Sequence, residues 1–178
     1  MVEGKSPPGD RVAVYDCEGY FMGPDVAEQL AIAGFRVDLV TSLEDVAPFA
    51  HETLEQALLK RRLHESGVRL HRGVVLEQVE PGLLSGRGEF GDPYELETDA
   101  VVLVTQRVSD EALYLELAGD GERLRAEGIE AVYRIGDCVA PQLIADAIFD
   151  GHRLAREIDA KDPAVPLPWR RERIALTG

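Results

Sequence analysis

An apolar strand, a helix and a second apolar strand follow one another within residues 11–42, and this order constrains the fold more than any other feature. The first strand is predicted at residues 11–15. Gly23-Pro24 marks the start of the helix and Gly34 its end, and residues 35–40 form the second strand. A unit of roughly 30 residues with this order joins two parallel strands through a right-handed crossover. The sequence therefore predicts an α/β fold built on a parallel sheet.

The next segment continues the helix–strand alternation. Residues 51–67 predict a second helix whose leucines Leu54, Leu58 and Leu63 face the core. Residues 68–70 resume as a strand. Helices between parallel strands cover the faces of the sheet, which is the arrangement of a Rossmann-like domain.

The hydrophobic period then changes from helical to alternating. Residues 74–79 alternate, glycines follow as turn residues, and YELET at 94–98 forms a further short strand, which indicates a β-meander laid over the parallel sheet. Residues 99–105, DAVVLVT, show no alternation and predict a strand buried on both faces. These segments complete a three-layer domain.

The chain changes character after that strand. EAVYRIGD at residues 130–137 predicts another strand, and Pro141 opens a long amphipathic helix, PQLIADAIFDGHRLAREID. Residues 161–178 contain several prolines and predict an extended arm. One strand and one helix cannot form a sheet domain by themselves, so this part predicts an incomplete second domain.

Composition excludes several classes of function. The net charge of −14 argues against nucleic acid and anionic membrane as partners. The longest apolar run, Ala100–Val104, is far too short to span a bilayer, and the N-terminus has no signal-peptide core, so we expect a cytoplasmic protein. The two cysteines, Cys17 and Cys138, form neither a CxxC pair nor a metal cluster.

The turn after the first strand carries acids where a dinucleotide-binding turn carries glycines. Asp16 and Glu18 replace the first glycines, Asp25 adds a charge in the first helical turn, and the turn is about two residues longer than G-x-G-x-x-G. These carboxylates repel phosphate, and Val40-Thr41-Ser42 offers no acid for a ribose. We therefore do not expect this domain to bind NAD(P), and expect its role to be architectural.

Two longer stretches carry a family resemblance. VYDCEGYFMGPDVAEQLAIAGFRVDLVTS and YRIGDCVAPQLIADAIFDGHRLAREI resemble the C-terminal region of the trimethylamine dehydrogenase, histamine dehydrogenase and 2,4-dienoyl-CoA reductase family of flavoproteins. The resemblance covers roughly residues 10–160. It implies an NAD(P)-binding-like Rossmann domain at 11–106 and the returning half of an FAD/ADP-binding-like domain at 107–160. Outside it, Pro7-Pro8-Gly9 predicts a flexible lead-in at 1–10, and residues 161–178 form the extended tail.

The resemblance also implies what lies outside this chain. Family members carry an N-terminal (β/α)8 barrel with FMN, a 4Fe–4S centre and the first half of the FAD-like domain. Two cysteines cannot ligate a four-cysteine cluster, so FMN and 4Fe–4S are expected only in a protein partner. We expect this chain either to form a hetero-oligomer with that partner or to be a fragment of a longer protein. A tail with Trp169, Arg170, Arg171 and Arg173 would wrap around the partner.

A nucleotide site is implied at the Gly136–Asp137 turn. Asp137 is expected to accept hydrogen bonds from ribityl or ribose hydroxyls, and the backbone N–H groups that open the next helix are expected to face a phosphate. ADP or FAD would be held there, shared with the partner. Arg107 is either a phosphate or carboxylate clamp or packs at the domain crossing. The expected cofactor-binding residues are Gly136, Asp137, Cys138, Ala140, Gln142, Leu143 and Arg107, with no catalytic residue and no metal ligand.

The leading hypothesis is a structural, nucleotide-holding subunit of a multi-chain flavin oxidoreductase similar to trimethylamine dehydrogenase. Two alternatives remain open from the sequence. The first is an NADH-binding subunit that feeds electrons to a flavin through a remodelled turn. The second is a stand-alone regulatory module that binds an adenine nucleotide.

Overall fold

The computed structural model describes residues 6–168, which form two compact units. The first, here the N-terminal unit, ends at Gln106, and the second, the C-terminal unit, begins at Arg107. The elements of the N-terminal unit are β1 Arg11–Asp16, α1 Met22–Ile32, β2 Arg36–Thr41, α2 Gln56–Glu65, β3 Arg69–His71, β4 Val75–Glu80, β5 Leu83–Arg87, β6 Pro93–Glu97 and β7 Ala100–Val104.

Two sheets form the N-terminal unit. The larger is a four-stranded parallel sheet with the order β3-β2-β1-β7, and the smaller is the antiparallel meander β4-β5-β6. Val12 and Val14 on β1 pack with α1 and α2 residues in one core cluster, while Tyr15 and Val40 pack with meander residues in a second. The parallel sheet is therefore covered on both faces, which confirms the predicted α/β class with a parallel sheet and a β-meander.

Helix α2 differs from its prediction in start and orientation. It begins at Gln56, because Leu54 before it adopts a left-handed backbone with φ of 62° that no helix can continue. The prediction that Leu54 and Leu58 face the core was wrong, since they are 85% and 57% exposed. Leu63 faces the core as predicted, at 1% exposed, and Leu59, at 7% exposed, lies in the core in place of Leu58.

Strand β7 is not buried on both faces, as the sequence predicted. It lies at one edge of the parallel sheet and pairs only with β1 in the part of the chain that the structure describes. Leu103 is 57% exposed as a result. The prediction failed because an uninterrupted apolar run reports a strand but not its place in the sheet.

A buried carboxylate lies between the parallel sheet and the meander. Asp38 on β2 accepts hydrogen bonds from Arg69 at 2.6 Å and from His71 at 2.8 Å. Burial opposes ionisation, but the bonds from His71 and Arg69 outweigh it and lower the pKa of Asp38 below its ordinary value. Burial, and then the nearby Asp38 charge, raise the pKa of Tyr94 to about 12. The cluster fixes β3 against β2.

Asp99 clasps the beginning of β1 to the beginning of β7. One carboxylate oxygen accepts from the backbone N–H groups of Asp10 at 3.0 Å and Arg11 at 2.9 Å, and the other from the Arg11 guanidinium at 3.1 Å. The Arg11 N–H, the Arg11 side chain and the Asp10 N–H, in that order, lower the pKa of Asp99 to about 2. The clasp closes the end of the sheet where the lead-in enters.

The C-terminal unit is helical where the structure describes it. Its helices are α3 Ala112–Ala118, α4 Gly121–Ala126 and α5 Ile144–Glu157. Arg134 connects the segment before the short 3₁₀ turn at Gly136–Cys138 to α3. Its guanidinium pairs with Glu111 and lies 5.0 Å from the ring centre of Tyr114.

Two predictions for the C-terminal unit were wrong. Residues 130–137 form no strand in the described structure, although Ile135 keeps an extended backbone with φ of −145° and ψ of 165°. No neighbouring strand is available there to pair with the segment. The long helix begins at Ile144 rather than Pro141, because Leu143 has an extended backbone with φ of −84° and ψ of 160°.

The start of the predicted tail folds onto the charged face of α5. Arg153 donates to the carbonyl of Pro163 at 3.3 Å, and Glu157 accepts from the backbone N–H of Leu167 at 3.4 Å. The residues expected to wrap a partner, Trp169, Arg170, Arg171 and Arg173, lie outside the described residues.

Truncating α2 tests which of its faces carries the packing energy. Leu63→Ala should lower the free energy of unfolding by about 2–5 kcal/mol, because it empties a fully buried site. Leu58→Ala is the matched control, and its cost should stay near 0.5 kcal/mol because the side chain is already in water. Urea unfolding followed by circular dichroism measures both. Equal losses would contradict the packing of α2 through Leu59 and Leu63.

Neutralising Asp99 should weaken the N-terminal unit at neutral pH and flatten its response to acid. The folded pKa of about 2 lies below the ordinary 3.8, so the folded state releases this proton more readily than the unfolded state. The stabilisation is complete above about pH 4 and is lost as the pH falls toward 2. Melting temperatures of Asp99→Asn and wild type from pH 2 to 7 give the comparison.

Glu97→Gln is the control for the Asp99 clasp. Glu97 also bonds Arg11, but its side chain is 79% exposed, so screening leaves its effect small. Parallel pH profiles for wild type and Asp99→Asn would contradict the role assigned to the clasp.

Candidate functional site

The predicted site residues of the C-terminal unit meet around one turn. Gly136, Asp137 and Cys138 form the 3₁₀ turn, and Gly136 has φ of 62°, a conformation that favours glycine. A Cβ on Gly136 would also approach the Ala147 Cβ of α5 to 3.3 Å. Asp150 on the same helix accepts from the Gly136 N–H at 3.0 Å. The turn is thus fixed to α5 from two sides.

The backbone donors expected to face a phosphate all have partners within the chain. The Ala140 N–H donates to the Gly136 carbonyl at 3.1 Å, and the Gln142 N–H to the Asp137 carboxylate at 3.3 Å. The Leu143 N–H donates to Asp146 at 3.1 Å, while Pro141 has no N–H. A phosphate bound at this turn would have to displace one of these bonds.

Arg107 reaches the same turn within the C-terminal unit. Its guanidinium donates to the carbonyl of Gln142 at 3.2 Å. Since the N–H of Gln142 donates to Asp137, this one residue joins Arg107 to the turn. Arg107 therefore binds the same loop residue that Asp137 binds.

A small cavity of about 280 Å³ opens beside the turn. Four of the predicted residues line it: Gly136, Asp137, Ala140 and Gln142. Cys138, Leu143 and Arg107 are not part of its lining. Its volume is below the usual 300–1,000 Å³ range of sites that enclose a drug-sized ligand. It can receive part of a nucleotide, such as a ribose.

Sequence reasoning missed two further acids at this cavity, Asp146 and Asp150. They lie four residues apart on the first turns of α5, and each binds a backbone N–H of the preceding loop. Acids near a helix N-terminus are a recognisable signal of capping. Together with Asp137 they give the cavity an acidic lining, which suits hydroxyl groups better than phosphate.

The acidic turn of the N-terminal unit has a different construction. Asp16 is 1% exposed, and its Oδ1 accepts from the N–H groups of Glu18 at 2.9 Å and Gly19 at 3.4 Å. Burial is the main cause that raises the pKa of Asp16. The Gly19 carbonyl accepts from the Phe49 N–H at 3.1 Å, and the rings of Tyr20 and Phe49 lie 5.3 Å apart. The turn therefore points its polar groups inward.

Two other kinds of site are absent from the described residues. No group of three or more His, Cys, Asp or Glu side chains within residues 6–168 is placed to hold a metal ion. Over the same span, no helix is long and apolar enough to cross a membrane.

Comparison with known proteins identifies close relatives. Dimethylamine dehydrogenase of Hyphomicrobium sp. (strain x) is 35% identical over 98% of this chain, which corresponds to 26% of the relative. The structure of histamine dehydrogenase from Rhizobium sp. 4-9 superposes with a TM-score of 0.87 at 35% identity, over 99% of this chain and 26% of that one. The 6-hydroxypseudooxynicotine amine oxidase of Pseudomonas geniculata N1 gives a TM-score of 0.77 at 36% identity, over 84% and 22%.

These matches confirm the resemblance drawn from the sequence. The chain is homologous to a region of amine dehydrogenases and spans about a quarter of the length of these relatives, 26% for the first two. The family model of the OYE-like second alpha/beta domain matches residues 1–103. The chain therefore belongs to the OYE-like second alpha/beta domain family.

Proposed function

We propose that this chain is a non-catalytic, nucleotide-holding component of a flavin-dependent amine oxidoreductase similar to trimethylamine dehydrogenase. A partner polypeptide would supply the (β/α)8 barrel with FMN, the 4Fe–4S centre and the first half of the FAD-like domain. The relatives named for dimethylamine and histamine support amines as the substrate class. The chain would act as a separate subunit or as one region of a longer protein.

The unfinished packing of the C-terminal unit carries this proposal. Helix α5 has no fully buried residue, and Ile144, Ile148 and Phe149 are 81%, 57% and 68% exposed. Ile135 has an extended backbone, but residues 131–135 pair with no strand in the described structure. A parallel sheet supplied by the partner would pair this segment and cover the apolar residues of α5. The unpaired segment and the exposed apolar residues of α5 are both expected of one half of a sheet domain.

The nucleotide would bind at the Gly136–Asp137 turn by a hydroxyl group. Asp137 holds Gln142 with one oxygen, and the acidic lining of the cavity suits a ribose or ribityl chain of ADP or FAD. The donors of Ala140, Gln142 and Leu143 are already engaged. We therefore place the main phosphate contacts on the partner's half of the domain. This modifies the expectation from sequence that these donors face the phosphate.

The alternative of an NADH-binding subunit gains no support from the N-terminal unit. A dinucleotide needs free N–H groups and close backbone approach at the β1–α1 turn. There the N–H groups of Glu18 and Gly19 donate to Asp16, and Phe49 packs over Gly19. The turn favours an architectural role for this unit.

Native purification from the source tests the partner. The wild-type chain should co-purify with a flavin- and iron-containing polypeptide, identified by mass spectrometry and by visible absorption. Ile148→Asp should abolish the association, because it places a charge in the face that the partner would cover. Glu157→Gln is the control, because Glu157 lies on the opposite, charged face of α5 that binds Arg153 and Leu167, and it should keep the complex. A wild-type chain recovered as a cooperative monomer from its source would contradict the proposal.

Bound nucleotide tests the role of Asp137. Asp137→Asn should reduce the ADP or FAD affinity of the purified complex about tenfold or more, because a hydrogen bond to a charged acceptor contributes about 1.5–3 kcal/mol. Asp159→Asn makes the same charge change beyond the end of α5 and should leave the affinity unchanged. Isothermal titration of nucleotide-depleted complex measures both. Equal affinities would remove Asp137 from the site while leaving the partner proposal intact.

A further inference from the structure

The β1–α1 turn keeps the parts of an anion site although its glycines are replaced. Consecutive backbone N–H groups, of Glu18 and Gly19, converge on one point, and Gly19 has φ of 80°. Such paired N–H groups form a concavity that binds anions. The point on which they converge is occupied by the Oδ1 of Asp16, at 2.9 and 3.4 Å. A carboxylate of the chain itself is thus bound where an external anion would bind.

Gly23 in the first turn of α1 leaves room for the same carboxylate. A Cβ on Gly23 would lie 2.5 Å from Asp16 Cγ and 2.6 Å from Asp16 Oδ2, so no larger residue fits without displacing the acid. In dinucleotide-binding turns a glycine permits the close approach of the pyrophosphate. In this turn the glycine permits the close approach of a side chain. Asp16 Oδ2 is buried beside Gly23 and has no hydrogen-bond partner among the described residues.

The segment after β2 closes the turn from outside. A Cβ on Gly19 would meet Leu43 Cδ1 and Phe49 Cδ2, each at 2.7 Å, so these side chains lie directly on the glycine. The Phe49 N–H also donates to the Gly19 carbonyl at 3.1 Å. The carboxylate is consequently 1% exposed and cannot leave the site by a simple rotation into water.

We infer that the Asp16 carboxyl group occupies the phosphate position of the β1–α1 turn and closes the N-terminal unit to dinucleotides. The inference concerns only the N-terminal unit and does not depend on nucleotide binding at Asp137. It assigns the loss of dinucleotide binding to one side chain that fills the site, in place of a general loss of the site's architecture. Removal of that side chain should therefore reopen a site for phosphate.

The test compares Asp16→Gly with Asp16→Asn in the full chain, with inorganic pyrophosphate as the probe. Asp16→Asn keeps an acceptor oxygen and the volume, so it should bind pyrophosphate no better than wild type. Asp16→Gly frees the two N–H groups and should bind it at least tenfold more tightly. Amide resonances of Glu18 and Gly19 report the event directly, because they should shift on titration in Asp16→Gly alone. Binding in the C-terminal unit is common to all three proteins and cancels in the comparison.

Three outcomes would overturn the inference. The first is a folded Asp16→Gly protein whose Gly19 amide does not respond to pyrophosphate. The second is a wild-type Gly19 amide that responds as strongly as the variant's. The third is Asp16→Asn binding as tightly as Asp16→Gly. If circular dichroism shows that Asp16→Gly is unfolded, Asp16→Ser takes its place, since it also removes the carboxylate and keeps a polar side chain.

Discussion

A β-strand needs a hydrogen-bonding neighbour, and this requirement separates the two units of the molecule. In the N-terminal unit β1 has neighbours on both sides, β2 and β7, and it is covered by helices on one face and by the meander on the other. In the C-terminal unit the segment at 131–135, which ends in the extended Ile135, pairs with no strand in the described structure. One unit is complete as a core, and the other has the elements of a sheet domain without the sheet.

The two candidate nucleotide turns use their acids in opposite ways. Asp16 is buried and binds the backbone donors of its own turn, so the turn is filled. Asp137 shares its carboxylate between a backbone donor and a cavity that opens beside it. An acid fills the first turn, and acids line the cavity beside the second. This difference supports the proposal that a nucleotide binds at Asp137 and not at the β1–α1 turn.

Local patterns were sufficient for the elements whose partners lie close in sequence. The β1–α1–β2 unit follows from its apolar runs and from Pro24 and Gly34, and the glycines of the meander mark its turns. The choice between Leu58 and Leu59 as the core residue of α2 was not predictable, because Leu58 is four residues from Leu54 and Leu59 is four residues from Leu63. The left-handed Leu54 decides between them, and that backbone depends on tertiary packing. The inward rotation of Asp16 likewise depends on Gly19 and Phe49, which a carboxylate in a sequence does not reveal.

The exposed edge of β7 has a consequence for the behaviour of the chain in isolation. Its residues, Ala100 to Val104, are all apolar, and none of the devices that usually protect an edge strand, such as lysine, proline or a bulge, is present in it. An edge of this kind is a template on which another strand can add. The isolated chain therefore carries an aggregation hazard at β7, and its solubility depends on whatever neighbour covers that edge.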